Sequence, residues 1–487
     1  MVVFQALTWE TRDGEDEHLI SIFGKSEDGK SVCLTTAFTP YFFIKLPSGI
    51  DSQKVQRIYD ILCDKCKDSL VAYSLMKSKD VWGFQNNEEF AYMKINFKDL
   101  QARRLVDSFL RRPLNMTPDL FELFGVRTVK VYESNLDPVL RLMHRTGIQS
   151  TGWLDTGGKC VRSHLANVDI DLFCNDWTTL KPVVRDDIAP FVVASVDIEC
   201  NSSTGKFPDP NIPGDACFQI AISLCKFGSD EPYDKTCLCY KKTDPTLEGC
   251  DIRSYPTERE MLEAFQKYIH KKDIDIITGW NIFGFDMEYI YKRAQINRCH
   301  YDFYNLGKLK DTNSELVIKK LSSSALGDNL LKLLPMSGRF IFDLFHEVKK
   351  GYKLDSYKLD NVSKLYLGDQ KIDMAPKEMF ARYREEDPVK LREVAEYCIK
   401  DTLLPHRLMK KLCILLNLVE MAKATWVPVT FLVERGQQIK VFSQLTKKAR
   451  ELGFMVPTIR YGTLPEEPYE GATVLDAQKG AYYTPIT

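Results

Sequence analysis

At 487 residues the chain is too long for one hydrophobic core, so two to four domains are expected. Its 44% apolar and 27% charged content is that of an ordinary globular protein. Its best candidate for a membrane span, Leu412 to Leu418, is far short of the ~18 residues needed and is flanked by Lys411 and Glu420. A net charge of −1 argues against a protein that coats nucleic acid nonspecifically, while leaving room for an enzyme with an acidic site.

Met1-Val-Val-Phe-Gln has neither the basic start nor the long apolar run of a signal peptide, so a soluble, intracellular protein that is not secreted is expected. Residues 1 to about 130 carry short strand-like runs, Val32-Cys-Leu-Thr-Thr and Tyr41-Phe-Phe-Ile-Lys-Leu, between turn residues. Gln53 to Cys63 and Leu100 to Arg111 read as amphipathic helices. Cys63-Asp-Lys-Cys66 is a CxxC with no second pair or histidines at zinc-finger spacing, and reads as two ordinary cysteines. Most of the 14 cysteines sit singly in apolar segments (Cys200, Cys225, Cys398, Cys413), as reduced thiols behaving as small hydrophobes do.

From Phe191 the texture changes. Phe191-Val-Val-Ala-Ser-Val and Gln219-Ile-Ala-Ile-Ser-Leu-Cys are continuous runs, as in strands buried on both faces. Thr257 with Glu260 spells a capping box for a helix through Met261, Leu262, Phe265 and Ile269. Ile274-Asp-Ile-Ile-Thr-Gly reads as a further strand, which makes residues 191–410 an α/β domain with a buried central sheet. After Ala375 the pattern is helical to about Leu452, and Gly462 to Gly471 reads as a linker. Basic residues gather at Lys349, Lys350, Lys353 and Lys358, and again from Arg435 to Arg450. As charge alone they read as solvated faces.

Asp197-Ile-Glu199 ends the first strand of that domain, where period-two alternation puts both carboxylates on one side, suited to hard divalent cations. Asp286 follows Gly279-Trp-Asn-Ile-Phe-Gly-Phe, a glycine-containing turn leading into a helix; an acid there equally serves the helix dipole. Tyr397 and Asp401 are one turn apart on a helix whose buried stripe is Leu391, Val394, Ala395 and Cys398. A tyrosine beside a metal-bound acid suits the positioning of an attacking water, and a plain surface pair is the bland alternative.

These segments, Asp197-Ile-Glu199, Asn281 through Asp286 and Tyr397 through Asp401, resemble the three exonuclease motifs of family B DNA polymerases in the DEDDy pattern. The likeness is strongest to the delta-like enzymes, including those of large double-stranded DNA viruses. Tyr132-Glu-Ser-Asn135, Trp82-Gly-Phe84, Gly338-Arg-Phe, Tyr357-Lys-Leu and Arg435-Gly-Gln-Gln-Ile-Lys-Val441 resemble family segments too, so the likeness covers essentially the whole chain. It implies an α/β fold class: a β-rich N-terminal domain (1–130, with a connecting part 131–190), a ribonuclease-H-like 3′→5′ exonuclease domain (191–410), and a helical segment and linker (411–487) leading to a palm. Two Mg²⁺, with Mn²⁺ as a substitute, are implied, held by Asp197, Glu199, Asp286 and Asp401. Asp197 would bridge the ions, Glu199 and Asp401 would complete the shell of the ion that generates the nucleophile, Asp286 would hold the second ion through water, and Tyr397 would orient the attacking water. Asn281, Phe285, Tyr469 and Gly471 are implied as DNA contacts, with a buried structural role for Phe285 as the alternative. DNA 3′ ends, a polymerase palm and a sliding clamp are the implied partners, with no membrane; a viral enzyme would act in the host nucleus or at a cytoplasmic replication site.

Thr473 to Ile486 resembles the stretch just before the first palm motif, and the D-x-x-S-L-Y-P, K-x-x-x-N-S-x-Y-G and Y-G-D-T-D motifs do not occur. Asp169-Ile-Asp171 and Asp273-Ile-Asp275 lack the flanking Tyr-Gly of a polymerase hairpin and read as strands with a polar face. Gly24-Lys25-Ser26 lacks the preceding glycine of a P-loop. The expectation is a proofreading nuclease that does not polymerise alone. A non-catalytic docking half of a split polymerase, or a stand-alone nuclease trimming RNA, are the alternatives.

Overall fold

The computed structural model describes the chain except for residues 1, 16, 67–68, 113–117, 127, 324–326, 370–373, 460–472, 474–478, 482 and 484–487. Three main sheets organise it. The first has seven strands, in the order Lys181–Val183, Trp153–Asp155, Val3–Asp13, His18–Lys25, Ser31–Ala37, Ile170–Cys174 and Cys160–Arg162. His18–Lys25 is buried along its whole length because neighbours pair with both its edges and both faces are covered. The second sheet runs Phe454–Met455, Leu70–Asp80, Glu89–Phe97, Tyr41–Lys45 and Val131–Tyr132. The helices Ser52–Lys65 and Leu100–Leu110 lie against it through Val55, Ile58, Leu62, Ala102 and Val106, each capped by an aspartate, Asp51 or Asp99. The strands Ser31–Ala37 and Tyr41–Lys45 and the two helices appear where alternation and spacing place them. The parallel pairing of Phe454–Met455 with Lys79 and Asp80, which returns the chain to the N-terminal region, has no local signature.

The α/β domain is built on six strands, Asp251–Tyr255, Asp234–Tyr240, Cys217–Lys226, Val192–Cys200, Ile276–Thr278 and Phe340–Ile341. Val192–Cys200 is central, antiparallel to Cys217–Lys226 and parallel to Ile276–Thr278. One face is covered by the helices Glu258–Lys271 and Asp286–Ile296, whose Met261, Phe265, Met287 and Ile290 join the core around Ile198 and Ile220. The capping box is formed as expected: the Thr257 hydroxyl accepts from Glu260 N–H, and the Glu260 carboxylate accepts from Thr257 N–H. The other face carries the long helix Pro388–Lys411, started by the Asp387 cap and Pro388. Polar anchors fix this helix to the Cys217–Lys226 strand. Gln219 Nε2 donates to Leu391 O at 2.8 Å and Ser223 Oγ donates to Thr402 O at 3.2 Å. His406 Nε2–H donates to Ser223 O at 3.0 Å. Further helices follow to Glu451, and no helix among the described residues is long and apolar enough to cross a membrane. The architecture is thus α/β, with a β-rich N-terminal region and helices after the central domain.

Asp273-Ile-Asp275 differs from the expected polar-faced strand. Strand pairing begins only at Ile276, Asp273 has a left-handed φ of 45°, and the two acids enclose a buried ion cluster. Lys25 Nζ lies 2.6 Å from Asp275 Oδ2 and 3.2 Å from Asp273 Oδ2, and Lys308 Nζ lies 2.6 Å from Asp275 Oδ1 and 2.9 Å from Asp273 Oδ1. Burial alone would raise the Asp273 carboxyl; the two lysines outweigh it and hold it below the usual carboxylate range. The lysine of the abortive P-loop therefore ties the seven-stranded sheet to the α/β domain. Cys413, expected inside apolar surroundings, is exposed in a left-handed turn (φ 50°) at the start of the helix Ile414–Thr425.

Candidate metal-binding nuclease site

Strand alternation sets the first two acids. In Val192–Cys200, Ile198 packs into the core under Glu258–Lys271, so Asp197 and Glu199 face the other way, toward Pro388–Lys411. Glu199 pairs in register with Gln219, whose side chain is bonded to that helix. Both acids stand near the carboxyl end of the strand, where α/β sheets generally bind ligands. Asp401, nearly fully buried, comes from the helix itself.

Oxygens of Asp197 and Glu199 and the Sγ of Cys398 all lie within 4.8 Å of one another. Cys398 Sγ is 3.6 Å from Asp197 Oδ2. Burial drives the Cys398 thiol far up, and the charges of Asp197, Glu199 and Asp401 drive it further, so it feels three converging carboxylates. Hard divalent ions are bound by such oxygen sets, so the donors present fit Mg²⁺ or Mn²⁺. Asp197 and Asp401 also line a cleft of about 590 Å³ with Trp280, Asn281, Phe345, Tyr357, Lys358, Leu359 and Asp360.

Asp286 arrives on a different element. It is the first residue of Asp286–Ile296, 4% exposed, and its charge reaches Cys200 together with that of Glu199. The turn before it is crowded. A Cβ on Gly279 would meet Val196 O at 2.4 Å, so glycine lets the turn run close beside the central strand. Asn281 takes a left-handed φ of 65° and lines the cleft. Phe285 packs its ring on Phe207 and Tyr289, at centroid distances of 5.3 and 5.0 Å, away from the cleft-lining set. Tyr397, one turn before Asp401, is half-buried against the cluster of Phe218, Met379 and Tyr383. Tyr469 and Gly471 lie outside the described residues.

Two residues that touch the site or the turn beside it carry no sequence signal of their role. Cys398 reads as one more apolar position of the helix stripe, yet touches Asp197. Asp343 is fully buried and binds the backbone of the Asn281 turn from 60 residues away; burial pushes its carboxyl up to about 7 against the pull of three N–H donors. Its position just before the helix Leu344–Gly351 marks it only as a cap.

The sequence model of the DNA polymerase family B exonuclease domain matches residues 129–362, and that of DNA polymerase family B matches residues 427–487; Tyr397 and Asp401 fall between the two. A DNA polymerase of Paramecium bursaria Chlorella virus NY2A is 33% identical over 504 residues, covering 100% of this chain and 52% of the viral protein. The DNA polymerase delta catalytic subunit of Schizosaccharomyces pombe is 33% identical over 481 residues (96% of this chain, 43% of that subunit), and that of Oryza sativa subsp. japonica is 31% identical over 484 residues (96% and 43%). The chain spans about half the length of the curated relatives it matches. Among solved structures, the family B DNA polymerase of the hyperthermophilic archaeon Pyrobaculum calidifontis shares the fold, with a TM-score of 0.67 and 19% identity over 97% of this chain and 53% of that one. From its two family matches and its relatives alike, the chain belongs to DNA polymerase family B.

Proposed function

We propose that this chain carries a metal-dependent 3′→5′ exonuclease that removes nucleotides from DNA 3′ ends, the proofreading part of a replicative family B polymerase. One observation carries the reading: Asp197, Glu199 and Asp401, drawn from a strand and a helix far apart in sequence, converge beside one open cleft. Collecting like charges costs stability and serves packing poorly, which favours a site made for cations.

Asp197, Glu199, Asp401 and Asp286 would hold two Mg²⁺, which when bound supply an activated water and charge stabilisation at the scissile phosphate. The chain's own groups do the rest. The strand end and the anchored helix keep the carboxylates preorganised, so little rearrangement is needed on binding. The Tyr397 phenol orients the attacking water. The aromatic faces of Trp280, Phe345 and Tyr357 give the terminal nucleotide a stacking wall, and Lys358 gives its phosphate a cation. The same reading divides the chain at about residues 130, 190 and 410, with 131–190 as a connecting part of the N-terminal domain. The sharing of one sheet by Trp153–Asp155, Ile170–Cys174 and Val3–Asp13 supports that assignment. The palm, fingers and thumb of a family B polymerase, and a sliding clamp, are the proposed partners.

The test is digestion of single-stranded DNA in Mg²⁺, labelled once at the 5′ end and once at the 3′ end. A 5′-labelled ladder shortening from the 3′ end, with immediate release of 3′-labelled nucleoside monophosphate, is expected. Release of the 5′ label first, or no cleavage by a folded sample, overturns the reading. Matched RNA should be cut more slowly; the reverse preference would shift the substrate class.

A further inference from the structure

The turn Gly279–Phe285 must be held against the central strand, because it delivers Asn281 to the cleft and sets the start of the helix that begins at Asp286. Its own bonds make it a stiff unit: Asn281 O accepts from Gly284 N and Phe285 N, at 2.9 and 3.2 Å, and Ile282 O accepts from Met287 N at 3.1 Å. Gly279 O accepts from Leu344 N at 3.1 Å and Trp280 Nε1 donates to Tyr357 O at 3.2 Å at the start of this unit, and the Asp343 side chain pins its middle. Asp343 Oδ1 accepts from Asn281 N at 2.9 Å and Oδ2 accepts from Phe283 N at 3.0 Å. Oδ1 also accepts from Phe345 N at 3.0 Å, the bond of an ordinary helix cap.

We propose that Asp343 is a positioning residue of the nuclease: its two carboxyl oxygens lock the Asn281–Phe283 backbone and so fix where Asp286 stands. This rests on the nuclease reading and goes beyond it, since Asp343 itself is walled off from the cleft by burial. A cap requires one acceptor oxygen, which serine supplies equally well. Asp343 spends a second oxygen, and a share of the first, on a turn 60 residues away. Completely buried carboxylates are costly, and one serving only as a cap gains nothing from that depth. His346, 3.9 Å from Oδ2, is held down to about 4 by burial and by Lys350 and Lys349, so it stands neutral beside Asp343 at neutral pH.

Two substitutions separate the roles. Asp343→Ser keeps a capping oxygen and loses the reach to the turn. Asp343→Asn keeps the shape and turns an N–H pair toward the Phe283 N–H, setting donor against donor. The expected result is a folded variant in which the Mg²⁺ concentration for half-maximal DNA digestion rises about tenfold, with the rate recovering at saturating Mg²⁺. General loosening of the fold would not give that recovery. Independently of DNA, Mn²⁺ titration followed by electron paramagnetic resonance should show one weakened site in Asp343→Asn or Asp343→Ser, and both sites weakened in Asp197→Asn. Variants that fold and keep wild-type Mg²⁺ and Mn²⁺ dependence reduce Asp343 to a cap and overturn the proposal; if one variant does not fold, the other decides. A wild type that binds two Mn²⁺ without cutting DNA would sink the nuclease reading, while the Mn²⁺ titrations still judge Asp343. A wild type that binds no Mn²⁺ overturns both.

Discussion

Asp197-Ile-Glu199 and Asp273-Ile-Asp275 are the same short pattern placed at opposite ends of the same two neighbouring strands. Asp275 accepts from Val192 N at 2.8 Å, at the beginning of Val192–Cys200; Asp197 and Glu199 stand near its close. At the beginning, Lys25 and Lys308 arrive from two other segments and are sealed in, each only 2% exposed. Near the close, the acids meet one another, Asp401 and a thiol, beside an open cleft. Two acids separated by one isoleucine therefore carry no function of their own. What decides is whether lysines or further acids come to meet them, and whether the place is shut or open.

Breaking the closed cluster should have the largest effect on folding. Asp275→Ala leaves two buried ammoniums with only the partly exposed Asp273 and strands Val192 N–H. A loss of about 3–5 kcal/mol is expected by denaturant unfolding, with activity per folded molecule unchanged. A stable variant with lost activity would mean that the two ends are coupled.

Crowding the open end should cost less stability and more function. Gly279→Ala brings a Cβ within 2.4 Å of Val196 O and 2.6 Å of Ile282 Cγ2, so the turn must shift. About 1–3 kcal/mol of stability and most of the DNA digestion should go, read by unfolding and by digestion rate. Normal digestion would show that the turn does not set the site.

Acid should separate two groups, His406 and Asp273. Burial lowers His406, on the Asp401 helix, to about 4, so the unfolded imidazole takes up a proton near 6.5 while the folded one stays neutral. Stability therefore falls as pH drops from about 6.5 toward 4, by up to about 1.4 kcal/mol per pH unit for this group. Asp273 is held low, so its contribution persists through that window and is lost only as pH falls below about 4. Melting temperatures across pH 7 to 4.5 should decline in the wild type and less steeply in His406→Gln; equal slopes would remove His406 from the account.

The smallest effect is a gain. In chelator, Glu199→Gln should leave stability unchanged or raise it by about 0.5–1 kcal/mol, since one of the crowded charges is gone. A clear loss would make Glu199 a structural acid like Asp275.

Much of the open end was legible from sequence, because its parts are local. The β-branched run before Asp197, the Thr257 capping box and the helix stripe leading to Asp401 are each written within a few residues. The closed end was not, because Lys25 and Asp275 are 250 residues apart and nothing periodic links them. The same holds for Asp343 and Phe283, 60 residues apart, and for the return of Phe454–Met455 to Leu70–Asp80. Cys398 was hidden differently: a buried thiol on an apolar stripe reads as packing, and the approach of Asp197 and Glu199 from another element surrounds it with charge.

The most direct test of the difference between the two ends is side-by-side digestion of 5′-labelled single-stranded DNA in Mg²⁺ by wild type, Asp197→Ala and Asp273→Asn, at a temperature where all three are folded. Wild type and Asp273→Asn should give the same ladder from the 3′ end, and Asp197→Ala should be slower by about a thousandfold or more, roughly 4 kcal/mol of lost transition-state stabilisation. A full ladder from Asp197→Ala, or its loss in Asp273→Asn, would contradict the account.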